Sequence, residues 1–246
     1  MINHDPPAGP HVSVIIPVLR EAHRINRVIA HVREIDRDNL CEIIIADGDP
    51  EGETLRSITD EKVTRVFSPR GRGPQMNSGA ARARGDILLF LHADTYLPAN
   101  AFSWVCKIMD NPGYKAGAFR LGIDSPRLSF RIIEWGAFVR CRVSRVPFGD
   151  QAIFMRKRYF DEIGGFRDIP IMEDVELMKR IRVRGDRIAL LPSKVRTSAR
   201  RWEEEGLMSC VIRNWILRAS YILGAAPETL ARFYRNGRKE ERARRP

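Results

Sequence analysis

The amino-acid sequence predicts an α/β fold with a mostly parallel central sheet. Short apolar runs alternate with stretches of helical periodicity along most of the 246 residues, a pattern that is typical of repeated strand and helix units. The first apolar run, VSVIIPV at 12–18, is almost free of polar residues, as expected for a strand covered on both faces. We therefore expect this strand in the middle of the sheet.

Seven strands and five helices follow from the same periodicity. The strands are expected at 12–17, 42–46, 63–67, 87–91, 116–121, 152–155 and 187–191. The helices are expected near 22–35, 75–83, 99–109, 159–163 and 174–184. We assign residues 1–204 to one domain, in which helices flank the central sheet. Residues 205–246 are expected to form an amphipathic helix and a basic tail that pack on the domain or on a membrane surface.

Composition restricts the class of partner. The net charge of +11 and the pI near 10.0 indicate attraction to phosphate groups, a membrane face or nucleic acid. The four cysteines form no C-x-x-C pair, so neither a zinc cage nor a disulfide framework is expected. The first eleven residues show no secretory pattern, and we expect a cytoplasmic location, either free or peripheral on the inner membrane face.

Acidic residues stand at the carboxyl ends of the predicted strands, in a chain that is otherwise basic. Glu21 follows the first strand, Asp47 ends the second, and His92 and Asp94 follow the fourth. Ligands of open α/β sheets bind at this edge. Asp47 is suited to binding a base or ribose, but it also fits a turn residue that satisfies its own loop.

Three further features suit chemistry on a diphosphate. Arg72 lies between two glycines just before a predicted helix, as in a phosphate-binding loop or an ordinary loop. Asp94 suits a hard cation such as Mg²⁺ or Mn²⁺, or a plain strand exit. Glu173 and Asp174 open a predicted helix, where they either favour the helix dipole or supply a general base.

Seven segments, in the same order along the chain, resemble the family 2 glycosyltransferases with the GT-A nucleotide-diphospho-sugar transferase fold. The resemblance is closest to the small stand-alone bacterial members that carry HAD, GDQ, MED and SARRW motifs. The segments run from about residue 12 to residue 202 and read VSVIIPVLRE, IIIADG, QMNSGAARARGD, LLFLHAD, GDQAIFMRK, IGGF and MEDVELMKRI.

The resemblance implies a role for each matching residue. It makes Asp174 the catalytic base, with Glu173 beside it, and Asp94 the metal ligand. The remaining residues are implied to bind the donor nucleotide (Pro17, Glu21, Asp47, Arg72 and His92) or the diphosphate and acceptor (Gln151, Arg201 and Trp202). His92 replaces the first aspartate of the family's D-x-D motif, and Ser198 replaces the glutamine of Q-x-x-R-W.

The implied activity is metal-dependent, inverting transfer of a hexose from a nucleoside-diphosphate sugar to a hydroxyl or phosphate acceptor, with a lipid-linked acceptor as one option. Mg²⁺ or Mn²⁺ is the implied cofactor. The alternatives are a nucleotidyltransferase, which usually has a glycine-rich loop after the first strand, and a non-catalytic basic protein that binds membrane or nucleic acid. We expect no nucleic acid, because aromatic residues do not interleave with the basic runs.

Two stretches are relevant to a membrane. In 127–146, Leu128, Ile132, Trp135, Val139 and Val146 follow helical spacing, with arginines on another face. This helix either lies in a membrane interface or belongs to the domain with a solvated basic face. Arg213 and Arg218 interrupt the apolar stretch 207–226, so we expect a helix that packs on the domain or rests on the inner leaflet rather than one that crosses it.

Overall fold

The structure is a computed structural model that describes residues 11–234, apart from the side chain of Arg201. Predictions for residues 1–10 and for the basic tail at 235–246 lie outside these residues. The strands are β1 (Val12–Val18), β2 (Cys41–Asp47), β3 (Thr64–Phe67), β4 (Ile87–Phe90), β5 (Thr95–Tyr96), β6 (Ala116–Arg120), β7 (Ile123–Asp124), β8 (Phe154–Arg156), β9 (Ile188–Lys194) and β10 (Arg196–Ser198). The helices are α1 (Ile25–Ile35), α2 (Glu53–Arg56), α3 (Arg72–Arg82), α4 (Ala101–Asp110), α5 (Leu128–Ser144), α6 (Lys157–Glu162), α7 (Glu173–Val183), α8 (Arg200–Glu205) and α9 (Leu207–Ile222).

Seven strands form the central sheet in the order β3-β2-β1-β4-β8-β6-β9. All neighbouring strands are parallel except at β8, which runs antiparallel to both β4 and β6. The mostly parallel sheet confirms the predicted fold class. β1 lies between β2 and β4, as its apolar sequence predicts, and five of its residues are fully buried.

Helices cover both faces of the sheet. On one face, Val28 and Val32 of α1 and Phe102 and Val105 of α4 pack against alternate residues of β1 and β2. On the other face, residues of α3, α6 and α7 form a second apolar cluster with Ile15. Alternate strand residues point to opposite faces, so a continuous run of apolar residues serves both layers.

Of the five predicted helices, two begin three residues away from the predicted start, and the other three begin within two residues of it. α1 starts at Ile25 rather than near residue 22, because residues 19–24 form a turn in which the Arg24 N–H donates to the Glu21 carbonyl. α3 starts at Arg72 rather than residue 75. Its first intrahelical hydrogen bond runs from the Gln75 N–H to the Gly71 carbonyl, and Gly71 has a φ of 141° that favours glycine.

A small second sheet, β5-β10-β7, joins the end of the domain to the C-terminal helices. Its strands have two or three residues each, too few to show an alternating pattern, and the sequence did not predict them. α8 and α9 follow, as the predicted C-terminal helical segment requires, and residues 227–234 are also helical. Within residues 11–234, no helix combines the length and the apolar character needed to cross a bilayer.

Candidate active site

A cavity of about 510 Å³ gathers six of the residues that the sequence singled out: Arg72, His92, Asp94, Glu173, Asp174 and Trp202. Four elements bring them together. β4 ends just before His92, α3 begins at Arg72, α7 begins at Glu173, and α8 contains Trp202. Because residues 80 to 130 positions apart in the sequence meet here, the cavity depends on the whole sheet rather than on one motif.

Asp174 is held by backbone donors on both of its carboxylate oxygens. Oδ2 accepts the Gly149 N–H at 2.6 Å, and Oδ1 accepts the Val175 N–H at 2.7 Å. A Cβ at Gly149 would lie 3.0 Å from Nε2 of His92 and 3.2 Å from Asp174 Oδ2. The missing side chain at position 149 therefore lets the histidine and the carboxylate approach the same peptide group, and the two backbone donors orient Asp174.

Glu173 is buried beside Asp174, with 5% of its surface exposed. Burial raises the pKa of the Glu173 carboxyl, the charge of Asp174 raises it further, and Arg72 lowers it, for a net rise. Desolvation within the protein lowers the pKa of the Arg72 guanidinium, but the negative charges of Glu173, Asp174 and Asp94 raise it by more. The cavity thus places the Arg72 guanidinium among several carboxylates, one of which tends to hold its proton.

Asp94 and His92 line the cavity directly after β4. The Asp94 carboxylate is half-buried, and its Oδ1 accepts a long hydrogen bond of 3.4 Å from the Thr95 hydroxyl. Among residues 11–234, no three His, Cys, Asp or Glu side chains are grouped so as to hold a metal by themselves. A hard cation that takes most of its ligands from a diphosphate and water, with one protein carboxylate, fits this set of donors.

Asp47 lies outside the lining of the cavity, at the end of β2. It is fully buried, and Oδ1 accepts the Asp49 N–H at 2.9 Å, as an Asx turn would. The second oxygen, Oδ2, is buried without a hydrogen bond of normal distance and angle from the described residues. Burial raises the pKa of the Asp47 carboxyl, and the charge of Asp49 contributes to the rise. The Asp49 and Leu55 main chain and the Thr54 hydroxyl lie close enough to the carboxylate to oppose this rise. A ligand donor would give Oδ2 the well-formed hydrogen bond that the described residues do not supply.

The strand ends around Asp47 form a compact cluster. The Glu21 N–H donates to the Thr54 hydroxyl at 3.0 Å, and the Glu21 carboxylate pairs with Arg24 at 2.9 Å. Pro17 pairs in register with Ala46 of β2. The Ser68 N–H donates to the Asp47 carbonyl at 2.9 Å, and four residues later the same loop reaches Arg72 in the cavity.

The other predicted contacts differ in their surroundings. Gln151 is buried behind the cavity lining, where its side-chain N–H donates to the Phe119 carbonyl at 3.0 Å and its Oε1 accepts the Phe148 N–H at 3.0 Å. Its amide is used within the protein, and its assignment to the diphosphate or acceptor stays a prediction. Trp202 lines the cavity and packs edge-on against Phe130 at 5.9 Å between ring centroids. The side chain of Arg201 is not described.

Sequence reasoning missed the contribution of α9 and of Asp150 to the cavity. Asn214, Leu217 and Arg218 line its wall. Burial and the neighbouring Arg140 guanidinium lower the pKa of Arg218 to about 10, which leaves it charged at neutral pH. The available signal was Arg218 itself, because an arginine within an apolar helix needs an aqueous or anionic neighbour. Asp150 belongs to the GDQ segment but was not assigned a role.

The geometry agrees with comparisons to known proteins. The model of glycosyl transferase family 2 matches residues 13–169, more than half of the chain. The probable glycosyltransferase YdaM of Bacillus subtilis strain 168 is 25% identical over 221 residues, which cover 80% of this chain. This chain spans about half of that relative's length, 51%.

Two solved structures share the fold. One is the mannosyltransferase PcManGT of Pyrobaculum calidifontis, in complex with GDP-Man and Mn²⁺, with a TM-score of 0.66 and 20% identity over 91% of this chain and 68% of that chain. The other is S. aureus TarS, with a TM-score of 0.58 and 15% identity over 76% of this chain and 60% of that chain. These likenesses concern the fold and agree with the expected GT-A architecture.

Proposed function

The chain belongs to glycosyl transferase family 2, and on that premise we propose that it transfers a sugar from a nucleoside-diphosphate sugar to an acceptor hydroxyl or phosphate. The observation that carries the proposal is the cavity in which Asp174, oriented by two backbone N–H groups, lies with Arg72 and Asp94. A base, a cation for the leaving group and a carboxylate for a metal are the parts that such a transfer requires.

The donor nucleotide is proposed to extend from the Asp47 cluster to the cavity. Asp47 Oδ2 would accept a hydrogen bond from the base or ribose, with Glu21 and Pro17 at the same strand ends. The loop from Ser68 to Arg72 would carry the chain of contacts to the diphosphate. Arg72 would bind the diphosphate oxygens at the N-terminus of α3, where backbone N–H groups and the helix dipole favour anions.

A divalent cation, Mg²⁺ or Mn²⁺, is proposed to be held by Asp94, with His92 next to it. When bound, the cation neutralises charge on the diphosphate and makes it a better leaving group. The residues present support this assignment only if the donor supplies most of the ligands, since Asp94 is the one carboxylate that the family motif retains here. The mannosyltransferase of the same fold has GDP-Man and Mn²⁺ bound.

The chemistry assigned to this chain is a single displacement. Asp174 accepts the proton of the acceptor, the acceptor oxygen forms a bond to the anomeric carbon, and the bond from that carbon to the diphosphate oxygen breaks. Arg72 stabilises the charge that develops on the departing diphosphate. One displacement inverts the configuration at the anomeric carbon. Trp202 would contact the sugar or the acceptor with its ring.

Glu173 is proposed to support this chemistry by holding a proton. A neutral Glu173 removes one of the two negative charges that α7 could present to the cavity. This limit matters because the donor brings a diphosphate into the same cavity. We also propose that the acceptor is lipid-linked and that the protein works at the inner membrane face.

Calorimetry with UDP and GDP tests the donor site. We expect binding in the presence of Mn²⁺ that weakens by about tenfold or more in Asp94→Asn and after removal of the metal, since an ionic ligand contact is worth roughly 1.5 to 3 kcal/mol. Asp168→Asn is the matched control, because Asp168 is an exposed aspartate that does not line the cavity. Equal affinity of wild type and Asp94→Asn, with or without Mn²⁺, contradicts the metal assignment. No binding of either nucleotide contradicts the donor site.

A further inference from the structure

Two helices, α5 and α9, turn large apolar side chains to solvent. Within residues 11–234, all but three of the exposed large hydrophobic side chains lie on these helices or directly after α9, and the three exceptions are Phe67, Val183 and Phe233. On α5 the exposed residues are Leu128, Ile132, Trp135, Val139 and Val143, and on α9 and its end they are Met208, Ile212, Trp215, Ile216, Ile222 and Leu223. The α5 residues are three or four positions apart and so share one face of the helix. The α9 residues include two adjacent pairs, but at about 100° per residue they also fall on one side of their helix.

The two helices are neighbours. Ile133 and Ala137 of α5 pack in the same apolar cluster as Leu207 of α9. Further along, the Arg218 guanidinium of α9 lies 4.8 Å from the centroid of the Phe148 ring, and Arg140 of α5 lies 3.5 Å from the same centroid. The two helices therefore lie close together, and we name their exposed apolar stripes, taken together, the α5–α9 surface.

The α5–α9 surface is apolar and basic. The only acidic residue of α5, Glu134, is buried and pairs with Arg131 at 2.8 Å and Lys194 at 2.6 Å. α9 contains no acidic residue. Arg142 on α5 is exposed, as are Arg127 and Arg145 at its two ends. Arginines beside a stripe of Leu, Ile, Val and Trp are the composition of helices that lie in the interface of an anionic bilayer.

We propose that the α5–α9 surface docks on an anionic lipid bilayer. An ordinary domain helix would bury its apolar stripe, but Leu128 is 80% exposed and Val143 is 79% exposed. A second copy of the chain would bring the same arginines against one another, and like charges oppose association. Anionic headgroups instead complement them, and the apolar residues enter the acyl boundary.

The consequence of this docking for catalysis rests on the proposed function. The inner face of α9, with Asn214, Leu217 and Arg218, lines the cavity, while its outer face carries Ile212 and Trp215. A bilayer on the outer face would thus be separated from the cavity by one helix, about 10 Å. A lipid-anchored acceptor could reach Asp174 without leaving the membrane.

Vesicle co-sedimentation of the full chain tests the docking. We expect binding to phosphatidylcholine–phosphatidylglycerol vesicles, weaker binding to pure phosphatidylcholine vesicles, and loss of binding to the anionic vesicles at high salt. Val143→Glu and Trp135→Glu should each reduce the partition coefficient by about tenfold or more. Each variant removes an apolar side chain that would enter the bilayer and adds a negative charge that anionic headgroups repel.

The control is Val183→Glu, which makes the same substitution at a valine that is equally exposed, at 79%. Val183 is the last residue of α7, and Val143 is the last but one of α5. It should bind vesicles like wild type. Equal binding by Val143→Glu, Val183→Glu and wild type overturns the proposal, as does absence of binding at low salt. Light scattering that shows a wild-type dimer and a Val143→Glu monomer, without vesicle binding, assigns the surface to a second copy and also overturns it. Calorimetry of UDP and GDP on the same variants separates these outcomes from a failure of the donor site.

Discussion

Replacing Glu173 by glutamine removes one buried titratable group from the cavity and changes its shape little. Burial, and then the charge of Asp174, raise the pKa of Glu173 from 4.5 to about 7, against the opposing charge of Arg72. The folded protein therefore binds this proton more tightly than the unfolded chain does. Stability contributed by the bound proton is fully present below about pH 4.5 and is lost as the pH rises through about 7.

The size of the effect follows from this shift. A rise from 4.5 to about 7 corresponds to roughly 3 kcal/mol between fully protonated and fully ionised states. Between about pH 5 and about pH 8, ionisation of Glu173 should lower the free energy of unfolding by roughly 2 to 3 kcal/mol. Glu173→Gln has no such proton to lose, so its stability relative to wild type should increase by that amount over the same range.

Urea unfolding at these two pH values measures the difference. Glu34→Gln is the control, because Glu34 is an exposed glutamate on α1 and the same chemical change there should give a stability difference that varies little with pH. A constant difference between Glu173→Gln and wild type at both pH values would refute the reasoning. It would mean that Glu173 is ionised in the folded protein at neutral pH, and that the cavity tolerates two adjacent negative charges.

Three other substitutions separate positioning from binding. Gly149→Ala should lower turnover by about tenfold in a steady-state assay, with little change in the thermal midpoint, because its Cβ would displace His92 and Asp174 by a few tenths of an ångström. Unchanged turnover would contradict the close approach of these two side chains to Gly149. Asp47→Asn should weaken UDP or GDP binding by about tenfold in calorimetry. The thermal midpoint should not fall, because burial already disfavours the charge of Asp47, and unchanged affinity would leave Asp47 as a turn residue. Gln151→Ala should lower the free energy of unfolding in urea by about 2 to 4 kcal/mol, since it leaves the buried Phe119 carbonyl and Phe148 N–H without their partner. A stable variant with impaired donor binding would instead favour a direct contact between Gln151 and the donor.

The sequence predicts the central sheet well because burial on both faces leaves a strong signal. β1 is an almost continuous apolar run and lies between two other strands of the sheet, as expected, and the residues of β2 beside it are all buried. The orientation of β8 leaves no such signal, since a strand has the same composition whichever way it runs. β5, β7 and β10 escaped prediction because two or three residues are too few to establish a period.

The sequence singled out those cavity-lining residues that stand at strand or helix ends, as Asp94, Glu173 and Asp174 do. Arg218 was read as an interruption of an apolar helix, because sequence spacing does not say which neighbour an arginine faces. Gln151 belongs to a recognisable motif, yet its amide contacts the main chain, since a motif records which residues occur together and not what each one touches. The exposure of Val143 and Trp135 likewise depends on tertiary packing, which left both readings of α5 open.

The proposed sugar transfer can be measured as release of nucleoside diphosphate from a panel of nucleotide sugars, by wild type and by Asp174→Asn. We expect wild type to release the diphosphate from at least one donor when vesicles and Mn²⁺ are present. Asp174→Asn should bind that donor with similar affinity, because its amide keeps the size of the side chain, but should release the product at least about a hundredfold more slowly. Turnover by Asp174→Asn at the wild-type rate, or a wild-type protein that binds donors and releases no diphosphate from any of them, would contradict the proposed function.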